Sequence, residues 1–426
     1  MADMEEQPGQ ASAVRELVFV LRRSDARTQA YLLLVTSDYL PWQMREAVLE
    51  EAIAATSAIQ SEPDRIDVLK RLVHRLPARL LPQALSLSCA MPAEIYCARA
   101  LEVLAPKLPS HLLLDALSLA RSQRSEYCRA LSLSALASWL PALLKRQVSL
   151  EALAAARAIQ AGWSDSCVYR ARALGEVANS LSDGLRAEVL QEALAAARAT
   201  EGENGHYSMA LSDLAPKLPK ALRGEVLKEA LEAAVTREEG WVKAKALSAL
   251  VPNLPADLLL EALAAARALA YRNDRAVALV ALADRLPGVV TEAFVAVEET
   301  RSECTRAAAL VALAHNLSAE QLLKAVAMAK DLRFEGDRIV ALIALAAPMS
   351  KLPKRELFPL WQAVLRLLSS QDKQAFAHTV LALVAVVHSL GGQAAVVETI
   401  ASIADGRAGY LRSRMTRNFN GADDGC

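Results

Sequence analysis

The sequence predicts an all-α protein, a right-handed alpha-solenoid of about ten tandem antiparallel helical hairpins. Three observations carry that expectation. First, the phrase "EALAAARA" occurs at Glu151, Glu192 and Glu261, and looser copies begin at Glu51, Gln83, Asp115, Glu229, Glu292, Lys324 and Gln362. Successive starts lie 31 to 41 residues apart, a period that belongs to stacked helical units. Second, apolar residues keep helical spacing and never the alternation of a strand. Third, the unit closes repeatedly on Leu-Pro, at Pro109, Pro141, Pro255 and Pro287; proline cannot continue a helix but suits the first turn of the next.

Each element follows from this pattern. In the first phrase of a unit, Leu259, Ala262, Leu263 and Ala266 fall at i, i+3, i+4 and i+7; in the second, Leu279, Leu282, Ala283 and Leu286 do the same. That spacing gives each helix one apolar stripe. The second phrase reads "DRAVALVALADRLP" from Asp274 to Pro287, with relatives "ARALEVLAPKLP", "CRALSLSALASWLP" and "AKALSALVPNLP". Asp64, Asp274 and Asp337 are expected to cap second helices, and Gly162, Gly202, Gly205 and Gly240 to lie in the loops between first and second helices. The array opens with a helix near 12–21 and a second over 26–41. Its last hairpin, near 353–390, departs from consensus as end caps do, and a final helix near 393–403 closes it. Residues 1–11 and 405–426 are expected to be disordered, with one continuous array over 12–404.

Composition narrows the class. A chain of 426 residues exceeds the roughly 250–300 at which single cores stop growing. Its apolar share is 54% but its aromatic share only 4%, so the apolar mass is chiefly Ala and Leu, strong helix formers. Lysine plus arginine equals aspartate plus glutamate, 48 against 48. A nucleic-acid or anionic-membrane protein generally carries a basic excess, so neither partner is favoured. No apolar stretch is read as long enough to span a bilayer, the longest being Thr379 to Val387. The acidic start lacks the basic and apolar regions of a signal peptide. Six scattered cysteines with no Cys-x-x-Cys pair fit free thiols in a reducing compartment. The expected localisation is the cytoplasm.

The paired amphipathic helices, the period and the Leu-Pro junction resemble the alpha-solenoid superfamily of HEAT, armadillo and tetratricopeptide-like repeats. The likeness covers about residues 12–403. The tetratricopeptide pattern of Trp, Gly and Tyr is not reproduced, so HEAT-like is the closer label. "EALAAARA" and "ALSALVPNLP" also resemble repeat arrays at the sensor ends of bacterial NACHT/STAND signalling NTPases, which implies sensing or scaffolding; this chain has no NTPase part. Fold alone does not establish function.

The chain lacks phosphate loops, dinucleotide fingerprints, His-Glu-x-x-His, Gly-x-Ser-x-Gly and EF-hand patterns. The expectation is a non-enzyme with no cofactor and no metal. Cys97, Cys128, Cys167 and Cys304 recur near the start of second helices, read either as a redox or metal cluster or as small half-buried residues at tight turns. Asn316-Leu317-Ser318 matches a glycosylation sequon at a repeat junction, read as chance. Arg65, Arg170, Arg275, Arg306 and Arg338 form a column in the first turn of second helices, with Arg99, Arg129, Arg172 and Lys245 two residues further along the unit. The column reads either as a stripe for phosphate or acidic peptide or as a ladder paired with Glu51, Glu151, Glu192, Glu229, Glu261 and Glu292. Trp163, Tyr207, Trp241 and Tyr271 sit at hairpin loops, all on one edge. With Arg170 and Arg275 they are the candidate partner-binding residues, since exposed Trp, Tyr and Arg anchor interfaces; the alternative is that each ring covers its own hairpin. The function expected is a protein-binding scaffold, adaptor or sensor module whose partner is a protein or peptide, with nucleic acid as the alternative and no membrane.

Overall fold

A computed structural model describes residues 15, 17–22, 24–159, 166–199, 206–236, 239–368 and 371–404. Among them every regular element is a helix, and no strand occurs. The sequence-expected disordered ends, 1–11 and 405–426, lie outside the described residues, as do Gly162, Gly202, Gly205, Cys426 and Trp163. The chain forms two compact units, one of residues 76–299 and one of residues 1–75 with 300–426.

The unit of residues 76–299 is built of antiparallel hairpins. Its first helices include Ser110–Ser122, Ala142–Ala158, Asp183–Arg198, Lys220–Val235 and Ala256–Arg267; its second helices include Glu94–Leu104, Glu126–Ala137, Ser166–Ala178, Gly240–Leu250 and Arg272–Ala283. Each second helix packs on its own first helix, and successive second helices from Glu94–Leu104 to Arg272–Ala283 pack on one another. Alanines at Ala130, Ala171, Ala173, Ala246 and Ala278 are fully buried there, and small side chains let the axes approach. At Gly175 the approach is tightest: a Cβ would lie 2.5 Å from Leu214 Cδ2, and Leu214 is itself fully buried.

Pro41, Pro109, Pro141, Pro219 and Pro255 are the N-cap residues of first helices, with extended backbone. The Leu-Pro junction thus acts one residue earlier than the first helical turn. Asp64, Asp274 and Asp337 do not cap. They stand in the first turn, and the caps are Ser61, Tyr271 and Phe334. An aspartate there still favours the positive helix end. Gly240 likewise begins a helix rather than lying in the loop before it. Ser318, the serine of the sequon, caps the Ala319–Lys330 helix in a capping box with Gln321.

In the unit of 1–75 with 300–426, the helix Ala26–Ser37 packs on Glu62–Leu72 and also on Glu335–Met349 and Lys373–Ala382. The last hairpin, expected to depart from consensus as an end cap, packs through Lys373–Ala382 on the helix Ala26–Ser37. Polar contacts fix the register. The Arg27 guanidinium sits 3.0 Å from Asp337 and 3.4 Å from Asp64, in space that a side chain at Gly336 would crowd at 3.3 Å. The fully buried His378 ring contacts Ser24 Oγ through Nε2 at 3.0 Å and Glu335 Oε1 through Nδ1 at 2.6 Å. The rings of Tyr39 and His388 stack at 5.0 Å.

The segment Val384–Ile403 is, by length and composition, apolar enough to cross a membrane, which corrects the sequence reading that no stretch reaches that length. It is not one straight helix: Gly392, at φ 68° and ψ −165°, breaks it. The break accounts for the separate closing helix expected from residue 393.

Two substitutions test this packing. Gly175→Val forces a branched side chain against Leu214 and should cost about 1–3 kcal/mol, read as a lower denaturant midpoint. At Gly392 a Cβ meets nothing within 4 Å, so Gly392→Ala isolates backbone strain of about 1–3 kcal/mol, read as a lower Tm.

Candidate binding edge

The hairpin loops of the 76–299 unit bring the C-terminal ends of first helices beside the N-terminal starts of second helices. Carbonyls of buried residues just past the first helices are left without a helical partner, and arginines of the column answer five of them. Arg129 donates to the Gln123 carbonyl at 2.9 Å and Arg275 to that of Leu269 at 3.4 Å. The other unit repeats the arrangement: Arg65 donates to Ile59, Arg306 to Thr300 and Arg338 to Leu332. In all five the acceptor lies six residues back. A guanidinium there satisfies orphan carbonyls and suits the negative end of the helix dipole.

This corrects the sequence reading twice. Arg129 stands four residues past its N-cap, Ser125, as Arg275 does past Tyr271, so it belongs to the first column. The column is also not the partner of the glutamates. Four of those pair with the arginine six residues after the start of the preceding first-helix phrase: Arg121 with Glu151 at 2.9 Å, Arg157 with Glu192, Arg198 with Glu229 at 2.8 Å, and Arg267 with Glu292 at 2.6 Å. These guanidiniums hold the carboxyls of Glu151, Glu229 and Glu292 below the usual range. The signal was in the repeat itself, whose seventh letter is that arginine.

The candidate residues divide. Tyr207 is buried, 7% exposed, and its hydroxyl donates to the Glu229 carboxylate, so it is not an exposed anchor. Arg275 braces its loop. Arg170 and Glu192, with Ile159, Cys167, Ala195 and Ala199, line a cavity of about 290 Å³. Trp241 and Tyr271 are 59% and 71% exposed. They stand on neighbouring hairpins, which approach closely at Gly240: a Cβ there would lie 2.7 Å from Asp274 Oδ2 and 3.6 Å from the Tyr271 ring. Burial pushes the Asp274 carboxyl up.

The cysteines split as well. Cys97 and Cys128 are buried, Cys167 is half-buried and Cys304 is exposed. Burial pushes the Cys97 and Cys128 thiols up, which keeps them protonated and unreactive. Gln123, also buried, donates to Cys97 Sγ and accepts from Ser132. The sequence reading passed over a further cluster on second helices: Tyr127 and Tyr169 stack at 4.8 Å, and Arg99 lies over Tyr96. Burial pushes the Tyr127 hydroxyl up to about 12.

No family model matches the chain, and no curated protein is similar to it. Among solved structures, Ton1535 from Thermococcus onnurineus NA1 is 18% identical over 78% of this chain and 94% of its own, with a TM-score of 0.26. The karyopherin Kap121p, solved with the extreme C-terminus of the phosphatase Cdc14p, is 12% identical over 96% of this chain, with a TM-score of 0.39. The chain spans 56% of that karyopherin's length. A circular tandem repeat protein is 15% identical over 96% of this chain and 98% of its own, with a TM-score of 0.23.

The glutamate ladder has a pH signature. Carboxyls lowered in the folded state contribute stability that is present above their ordinary range and is lost as pH falls through the lowered values. Replacing Glu151, Glu229 and Glu292 with Gln should therefore leave a shallower acid limb in a plot of Tm against pH, with little change in fold by circular dichroism.

Proposed function

We propose that this chain is a non-enzymatic helical-repeat scaffold that captures a protein or peptide along the hairpin-loop edge of residues 76–299. The observation that carries the reading is the exposure of Trp241 and Tyr271, two large rings at the starts of successive second helices in a chain with few aromatics. Rigid aromatics supply contact area at low entropic cost and dominate interface energetics. The cavity beside Arg170 lies on the same edge and is of a size to accept one side chain of a bound segment. Its Glu192 wall is already engaged by Arg157, which leaves Arg170 as the charged group facing an acidic or carbonyl-bearing partner.

The nucleic-acid alternative has less support. A phosphate stripe needs guanidiniums directed outward, and five of the column are turned onto backbone carbonyls of their own hairpins. The cytoplasm remains the compartment we propose, because the described cysteines are free thiols.

The test is capture from native lysate, with nuclease, by wild type and by a Trp241→Ala, Tyr271→Ala double variant. A stoichiometric protein partner should survive nuclease, and the double variant should bind it about 30-fold or more weakly, the scale of an anchor residue worth about 2 kcal/mol. Equal capture by a variant with an unchanged melting curve removes this edge from the function.

A further inference from the structure

The opposite edge of the same unit, where Leu-Pro junctions join one hairpin to the next, carries a feature that the scaffold reading does not use. The first helix Ala142–Ala158 has 17 residues, close to the 16 of Asp183–Arg198 and Lys220–Val235 and longer than the 13 of Ser110–Ser122 and 12 of Ala256–Arg267. At its start stands a convex apolar tip. Leu143 is 91% exposed and Trp139 is 50% exposed, while buried Leu140 between them anchors the turn. Pro141 and Ala142 are exposed as well. No repeat needs these side chains for its core.

Cations collar the tip. Lys145 and exposed Arg146 follow it directly, and neither forms an ion pair with a described residue. The neighbouring junctions extend the charge. Residues 105–111, 138–147, 181–186 and 216–224 hold seven lysines and arginines against a single acid, Asp183, with Glu188 and Glu225 just beyond; of the seven, Lys217 is paired with Glu176 and Arg223 is turned onto the carbonyls of Ala215, Pro216 and Leu218. The neutral total of the whole chain conceals this local excess.

We propose that this junction edge docks on an anionic lipid bilayer, with Trp139 and Leu143 entering the headgroup boundary and Lys145, Arg146 and the flanking cations lying over acidic headgroups. The shape and the charge select that occupant. A partner protein's groove could take the tip, but it would not call for cations spread over four successive junctions. A bilayer surface is wide and anionic, and tryptophan favours its boundary region. Apolar insertion and basic attraction are the two signals whose combination gives stable peripheral attachment. The contact is peripheral, so it departs from the sequence expectation of no membrane without requiring a spanning helix.

The experiment is co-sedimentation of the full chain with sucrose-loaded vesicles of phosphatidylcholine alone or with 30% phosphatidylserine. The pelleted fraction should rise at least five-fold with phosphatidylserine and fall back in 0.5 M salt. Trp139→Ser with Leu143→Ser, both changes at exposed positions, should abolish the rise, and so should Lys145→Glu with Arg146→Glu. The Trp241→Ala, Tyr271→Ala variant should pellet like wild type, which separates this edge from the scaffold edge. Absence of a phosphatidylserine preference overturns the proposal. So does a tip variant that pellets like wild type, or a tip that fails on vesicles while its variant loses a captured protein.

Discussion

No hairpin in this chain can bury its own apolar face. Each second helix of residues 76–299 is covered by its first helix, and successive second helices pack on one another, so the core is a relay in which every unit depends on its neighbours. That dependence sets the composition. Adjacent second helices pack at the distance that alanine permits, and at Gly175 even a methyl group would intrude on Leu214. Large aromatics are few in such a layer; fully buried Tyr31, Trp361 and Phe376 lie in the unit that joins both ends of the described chain, while Trp139, Trp241 and Tyr271 of residues 76–299 stand exposed.

A relay must also be finished where it stops. In the unit formed by both ends of the chain, Ala26–Ser37 lies between Glu62–Leu72 and the helices Glu335–Met349 and Lys373–Ala382. Its small and apolar face substitutes for the missing neighbour, and polar groups select the register. Arg27 bridges Asp64 and Asp337, and buried His378 joins Ser24 to Glu335. Buried charged and polar contacts of this kind add little net stability but penalise any other alignment of the same alanine-rich surfaces.

What could be read in the sequence was whatever recurs locally. Helix type, the two phrases, the Leu-Pro junctions and the closing helix after Gly392 all rest on spacing within about forty residues, and the structure contains them. Partners across repeats could not be read from a column alone. The arginines past each N-cap were compatible with phosphate, glutamate or carbonyl; only the return of the chain six residues earlier decides for the carbonyl. Tyr207 and Tyr271 hold comparable places at the starts of their second helices, yet one is buried against Glu229 and the other stands in solvent. The contact between the chain's two ends involves residues some 310 positions apart, and no repeat period encodes it.

The same accounting bears on function. Most of the regular charge in the repeat is committed to holding repeats together: four of the glutamates by the arginines of the preceding phrase, the loop arginines by carbonyls. Recognition therefore has to reside in what breaks the repeat. Two departures stand out in residues 76–299, and they lie on opposite edges. At the hairpin loops, Tyr271 takes the N-cap place that Ser125 holds in its own hairpin, and exposed Trp241 stands in the first turn of the preceding second helix. At the junctions, Trp139 and Leu143 stand exposed beside Lys145 and Arg146. A repeat protein tolerates such departures at little cost to its core, because each touches only its own hairpin and the next. Two surfaces on opposite edges can thus diverge independently, which is the arrangement a scaffold needs if it is to hold one partner while resting on another surface.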